Sequence, residues 1–445
     1  MTYRSLAPCF AACAALLAAG YGHALAATPR GPLPPMSRAG GLAHRHKATT
    51  PIQHIVIIIQ ENRSFDNLFQ GYPGANTQSY GYNTKHKKIK LKPKHILTKV
   101  PAVHHDLTAY LDDYDNGLND GWEIDNANKT FPYSYLYQSD VQPYWTMANQ
   151  YVLDDNSFAS NLDQSFVSHQ FLIAGQSNME VDLPSTSWNC AGGPSDVIYQ
   201  LTAQRTYGDQ VPVCQDYQTL GDELDNAGLT WRFYAAPTSQ KDDGSEWSAY
   251  AAVNHIRNGP DWAKDVITPN TQFLTDVSSP TNPYLANVTW ITPDFNNSDH
   301  QGEKTNGGPS WVASLVDAVG ESQFWNTTAI IVLWDDWGGW YDHVVPPQLD
   351  VDGLGYRVPF ICISPYAHDG VVDHTQYEFG SVLRFAENNW GLGQLAASDT
   401  RATPVDSGCM NYSQAPRQFV PISGSYDMKY FLHQRPSYKP VDDDD

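Results

Sequence analysis

Positive charge is scarce in this chain. Its 27 Lys and Arg stand against 48 Asp and Glu, a formal net charge of −21. A phosphate backbone needs a basic face, so nucleic acid is not an expected partner. Apolar runs long enough to cross a bilayer are also missing; the stretch at residues 11–19 is too short. There is no Cys-x-x-C pair, which argues against a structural zinc site. No twin arginine precedes the apolar stretch, no lipid-anchor cysteine follows it, and no tandem repeat occurs. Cysteine itself is sparse, six in 445 residues.

Residues 1–26 read as an export leader. Arg4 supplies charge, residues 11–19 an apolar stretch, and Ala24-Leu-Ala26 a cleavage site. The expectation is an exported protein, periplasmic or secreted, with no transmembrane segment once the leader is gone. Residues 27–50, rich in Pro, Gly, His and Arg, read as a disordered linker. Residues 51–435 read as one large domain with insertions, and residues 436–445 as an acidic tail. Cys9 and Cys13 leave with the leader. The other four allow three pairings. Cys190–Cys214 is favoured, since it closes a short loop between turn-rich segments. Cys362 is either a buried thiol or the partner of Cys409.

Residues 55–59 are five β-branched residues in a row, the pattern of a strand buried on both faces of a parallel sheet. The run ends at Glu61-Asn62, and a helix is expected from Ser64. Residues 329–334 form a second buried strand, which ends at Asp335-Asp336. Further strands are expected at residues 229–235, 288–292 and 358–364, and helices at 146–151, 221–227, 311–319 and 380–388. This alternation predicts an α/β fold, a mostly parallel central sheet with helices on both faces and loop-rich insertions. Residues 71–99 hold Lys85, Lys87, Lys88, Lys90, Lys92, Lys94 and Lys99. The plainer reading is an exposed loop; the sharper one is a patch that meets anionic substrate or membrane surface.

In a parallel sheet all strand carboxyl ends lie on one edge, where α/β sheets bind ligands. Taken singly, Glu61 reads as a loop acceptor and Asp335-Asp336 as a surface turn. Together the two clusters can meet, and their mutual repulsion calls for a divalent cation. Carboxylates with an amide suit Ca²⁺, Mg²⁺ or Mn²⁺. Ser165 stands at a predicted helix N-terminus, where an anion is favoured. His104, His105, His169, His300 and His343 are candidates for proton transfer or phosphate contact.

Glu61-Asn-Arg-Ser-Phe-Asp66 after an isoleucine-rich strand resembles the opening motif of the bacterial phosphoesterase family of phospholipases C and acid phosphatases. Asp335-Asp-Trp-Gly-Gly-Trp-Tyr-Asp-His343 resembles its second signature. The resemblance spans residues 52 to about 393. It implies an alkaline-phosphatase-like fold and metal-assisted hydrolysis of phosphate esters. By position, Glu61, Asn62, Asp335, Asp336 and Ser165 match the family's metal ligands. Ser165, four residues before His169, matches the nucleophile, which implies a phosphoserine intermediate. His105, His300 and His343 match its histidines. The chain departs from the pattern at Asn67, at Asp336-Trp337 (where many members have Glu-His) and at Val167-Ser168. The expected function is an exported, metal-dependent phosphoric ester hydrolase, whose two variants cleave a phospholipid head group or a phosphomonoester. The rival is a non-catalytic exported binding protein on the same scaffold. A sulfatase is disfavoured, because no Cys-x-Pro-x-Arg segment occurs.

Overall fold

The computed structural model describes residues 46–98, 103–124, 126, 128–237, 247–301 and 306–438. The leader, most of the linker, Lys99 and the last seven residues of the acidic tail lie outside them. The end of the linker is held in place: the His46 ring bonds the Trp390 carbonyl at 2.9 Å, and Thr50 Oγ1 donates to Asn389 Oδ1 at 2.7 Å.

An eight-stranded sheet forms the centre. Its order is Val266–Ile267, Trp231–Tyr234, Val288–Ile291, His54–Gln60, Thr328–Trp334, Phe360–Ile363, Val152–Asp154 and Val371–Asp373. The first five strands run parallel, which bears out the α/β reading. Phe360–Ile363 is the exception, antiparallel to both of its neighbours. Its apolar run gives burial but not direction, so this reversal was not legible. The His54–Gln60 strand is central and, apart from His54, fully buried.

Both faces of the sheet are covered. Register pairs Ile57 with Trp290 and Gln60 with Trp334, an odd offset that places the two tryptophans on opposite faces. Trp290 donates through its ring nitrogen to the carbonyl of Leu172, in the helix Ser165–Ala174. On the other face Trp334 packs edge-on against Tyr144, of the helix Gln142–Gln150, with centroids 4.8 Å apart. The long apolar helix Gly307–Gly320 and the helix Phe379–Trp390 complete the layers.

Both disulfides expected as options form. Cys190 is bonded to Cys214 and Cys362 to Cys409. The lysine-rich segment is not a plain loop. Tyr80–Tyr82 and Lys88–Lys90 make an antiparallel hairpin, and Lys92–Lys94 pairs with Ser134–Leu136.

Candidate active site

Register brings the two acidic clusters together. Because Gln60 lies opposite Trp334, the next residues, Glu61 and Asp335, leave the sheet side by side. Alternation carried one residue further aims both at the face covered by Ser165–Ala174. There His169 Nε2 lies 3.3 Å from Glu61 Oε1 and 3.7 Å from Asp335 Oδ2. The Asn62 backbone N–H donates to Asp335 Oδ1 at 2.9 Å. One helical turn before His169, and so on the same helix face, Ser165 Oγ donates to Asp336 Oδ2 at 3.2 Å. Glu61, Asn62, Ser165, Asp335 and Asp336 are all fully buried.

This donor set fits a divalent cation. Asn62 Oδ1 and Asp335 Oδ2 are buried and, among the described residues, accept no hydrogen bond. Leaving such acceptors unmet costs ~1–3 kcal/mol each, and oxygens converging this way are what a hard cation takes up. His105 accounts for the pose of Asn62. The Val103 carbonyl, 3.2 Å from His105 Nδ1, can only accept, so Nδ1 carries the proton. Nε2 is then the acceptor for Asn62 Nδ2 at 2.7 Å, and Oδ1 is turned the other way.

Two glycines let the second signature close over this edge. Gly338 and Gly339 have φ of 58° and 70°. A methyl group on Gly338 would stand 2.3 Å from the Asn62 carbonyl oxygen, and one on Gly339 2.5 Å from that of His104. The Gly338 amide also donates to Asp336 Oδ1 at 2.6 Å. Gly338→Ala is therefore expected to cost ~1–3 kcal/mol in strain and to displace Asn62. A thermal melt and an activity assay check it: unchanged stability together with unchanged activity would contradict the close approach.

The family model of the phosphoesterase family matches residues 52–393. The chain belongs to the phosphoesterase family. As a phosphoesterase it is a hydrolase of phosphoester bonds. It is 24% identical to the hemolytic phospholipase C of Pseudomonas aeruginosa, over 77% of this chain and 53% of that protein. It thus spans about half the length of that relative. It is 25% identical to phospholipase C B of Mycobacterium tuberculosis, over 86% of this chain and 80% of that one. Among solved structures, a protein in the alkaline phosphatase superfamily from Vibrio parahaemolyticus aligns over 81% of this chain and 71% of that chain, at 10% identity and a TM-score of 0.38.

The phosphoesterase signature residues do not all converge. His300 is buried between Phe295 and Trp247, and its Nδ1 donates to the Gln301 carbonyl at 2.7 Å. It is tethered to the site edge through its neighbour, since the Asp299 amide donates to Gln60 Oε1 at 3.0 Å. Burial pushes the Asp299 carboxyl up to about 6, against hydrogen bonds from Tyr144 and Trp334. His343 belongs to a different cluster. Its Nδ1 lies 2.6 Å from Asp66 Oδ2 and its Nε2 3.0 Å from Asn76 Oδ1, so both ring nitrogens are engaged. Arg357 grips Asp342 there with two bonds, at 2.9 and 3.1 Å. Burial pulls the Arg357 guanidinium down, but Asp342 and Asp66 outweigh it and keep it charged.

His169 is the residue that sequence reading underrated. Its sequence marks it as the residue four after Ser165 and as a candidate for proton transfer or phosphate contact, but not as a metal ligand, yet it stands with Glu61 and Asp335 as a group able to hold a metal. The signal was its spacing of four from Ser165. The departures from the family pattern have structural partners here. Asn67 joins Arg63 Nη1 to the Ser134 carbonyl. Trp337 is buried against Tyr110, Tyr356 and the edge of His105.

Proposed function

We propose that this phosphoesterase is an exported, metal-dependent phospholipase C in which Ser165 is the nucleophile. The observation that carries the reading is the Ser165 hydroxyl, bonded to Asp336 at the start of a helix and beside the Glu61–His169–Asp335 cluster. The phospholipase C names of its relatives support the substrate class. Two disulfides and the A-x-A leader favour export. No helix among the described residues is long and apolar enough to cross a membrane.

Glu61, Asn62 Oδ1, Asp335, Asp336 and Ser165 would hold the cation, with His169 beside them. When bound, a divalent cation supplies Lewis acidity, which favours the serine alkoxide and offsets charge on the phosphoryl oxygens. Asp336 Oδ2 already accepts the Ser165 hydrogen bond and so takes the proton as Oγ attacks phosphorus. The bond from phosphorus to the diacylglycerol oxygen breaks, and that oxygen is protonated. We assign this proton to His300 acting as an imidazolium: Nδ1–H stays on the Gln301 carbonyl, and Nε2–H is the proton given up. Water then attacks the phosphoserine, giving a proton to His300 Nε2 while Asp336 returns its proton to Ser165 Oγ, which releases the phosphorylated headgroup and restores the hydroxyl. His105 acts at one remove, by holding the Asn62 amide.

An ester panel tests the reading. p-Nitrophenyl phosphorylcholine should be hydrolysed, and EDTA should abolish the turnover. Cleavage of p-nitrophenyl phosphate alone would move the substrate class to phosphomonoesters. Turnover indifferent to chelator would remove the metal.

A further inference from the structure

Half of the chain's lysines fall between positions 85 and 99, in a protein whose net charge is strongly negative. Lys85, Lys87, Lys88, Lys90 and Lys92 are exposed and Lys94 is half-buried. Among the described residues none of the six has a carboxylate partner. The nearby acids are otherwise engaged. Glu123 accepts from Thr84 Oγ1 at 2.6 Å, Asp120 is buried 3.8 Å from His86, and Asp140 lies 2.9 Å from His95. The charge is therefore available to a partner.

Secondary structure arrays it. From Lys88 to Lys94 lysine alternates with Ile89, Leu91 and Pro93. Leu91 is buried in an aromatic cluster with Tyr133, Trp337 and Tyr341, while Lys88, Lys90 and Lys92 stay outside. In a strand, same-side residues recur about every 6.6 Å, which spreads the ammonium groups along a line. Two are propped on rings: Lys88 Nζ lies 3.4 Å from the Tyr80 centroid and Lys94 Nζ 5.1 Å from that of Phe131. Large apolar side chains flank the row in the open. Tyr82, across from Lys88, is 45% exposed, Leu97 is 47% exposed and Tyr137 is 40% exposed.

The row is fastened to the loop that carries the site. Gly81, in the hairpin, has no room for a side chain because the Tyr341 ring would lie 2.6 Å from it. Phe131, beneath Lys94, packs on Trp340, which also lies under the Arg63 guanidinium. Trp337, Trp340 and Tyr341 all belong to the segment that begins at Asp335-Asp336.

We propose that the Lys85–Lys94 ribbon is a docking surface for an anionic phospholipid bilayer. Ammonium groups meet headgroup phosphates, and Tyr82, Leu97 and Tyr137 enter the interfacial layer, which suits tyrosine and leucine. A polynucleotide would fit the charge and stack on the tyrosines, but it has no use for the exposed Leu97, and the acidic remainder of the chain would repel it along its length. Each lysine near an anionic surface strengthens partitioning by about fivefold. Set against repulsion from the acidic body, the row is expected to add at least about tenfold. Because the attraction decays within a Debye length of about 8 Å at physiological salt, added salt should release it.

Co-sedimentation with vesicles tests this, using the whole exported chain in a Ser165→Ala background so that turnover leaves the surface unaltered. Vesicles of phosphatidylcholine alone are compared with vesicles holding one-fifth phosphatidylglycerol. The chain should bind the anionic vesicles at least about tenfold more tightly, and 0.5 M NaCl should remove the difference. The Lys88→Gln, Lys90→Gln, Lys92→Gln, Lys94→Gln variant should lose it, while Lys264→Gln with Lys429→Gln should keep it. With Ser165 restored, the fourfold variant's melting temperature and its turnover of a soluble nitrophenyl ester report on folding. Equal binding to both vesicles, or a correctly folded fourfold variant that binds like its parent, overturns the proposal. So does preferential capture by a single-stranded oligonucleotide at equal charge concentration. Vesicle binding and ester turnover are read separately, so failure of the hydrolase reading leaves this result interpretable.

Discussion

Ser165→Ala is expected to lower kcat at least about 10³-fold, with the protein still folded. Losing the nucleophile removes the covalent route itself, and deletions of comparable groups cost this much or more. The structural penalty is small. Among the described residues Ser165 Oγ makes one hydrogen bond, to Asp336 Oδ2, while Asp336 Oδ1 keeps the Gly338 amide. The net cost of one such bond is about 1 kcal/mol, rising to ~3 if the carboxylate is left wanting. The melting temperature should therefore move by only a few degrees. Steady-state turnover of the nitrophenyl ester gives the rate, and a melt excludes unfolding. A variant that retains even a tenth of the activity would send the search to another hydroxyl. Ser168 is a poor alternative, since its hydroxyl is bonded among Asn161 and the Asp163 carbonyl.

Asp335→Asn should have the second largest effect, a fall in activity of ~10²–10³-fold with loss of the response to metal. The substitution keeps an oxygen to accept the Asn62 backbone N–H, now 2.9 Å from Asp335 Oδ1, so the loop need not move. What changes is charge. In the wild type, Glu61 and Asp335 crowd His169 at 3.3 and 3.7 Å. A cation binding there stabilises the folded state by about 2.7 kcal/mol at a hundred times its Kd, which is about 3 °C for a domain of this size. The wild type should therefore melt lower after EDTA, and Asp335→Asn should be indifferent to it. Equal chelator shifts in the two proteins would place the cation elsewhere.

The strands that build the site were legible because their sequences leave few choices. Five β-branched residues before Glu61 and an unbroken apolar run before Asp335 fit only buried strands, and parallel strands end on one edge. The Ser64 cap was legible for a similar local reason: its hydroxyl accepts the Asn67 amide, three residues on, at 3.2 Å. The choice of Cys409 as partner for Cys362 was left open, because four cysteines do not fix their own pairing. The direction of Phe360–Ile363 was not legible either, as a fully buried strand looks the same run in either sense.

The histidines divide along the same line. Their positions beside the motifs marked them, but not their tasks. His105 is turned to the Asn62 amide, His169 to two carboxylates, and His343 to Asp66, far along the chain from it. A ring's task depends on which groups surround its two nitrogens, and the deciding ones lie tens to hundreds of residues away in the chain.

By itself the sequence determined that two acidic strand ends and a serine four residues before a histidine exist, and that each sits at the boundary of a regular element. Backbone propensity and burial are local or periodic, so they can be read along the chain. Only the tertiary structure decided that Glu61 stands beside Asp335, that Ser165 faces Asp336, and that a lysine-rich ribbon is pinned to the same loop. Those are matters of register and packing between distant segments, where a shift of one residue would turn every side chain to the other face.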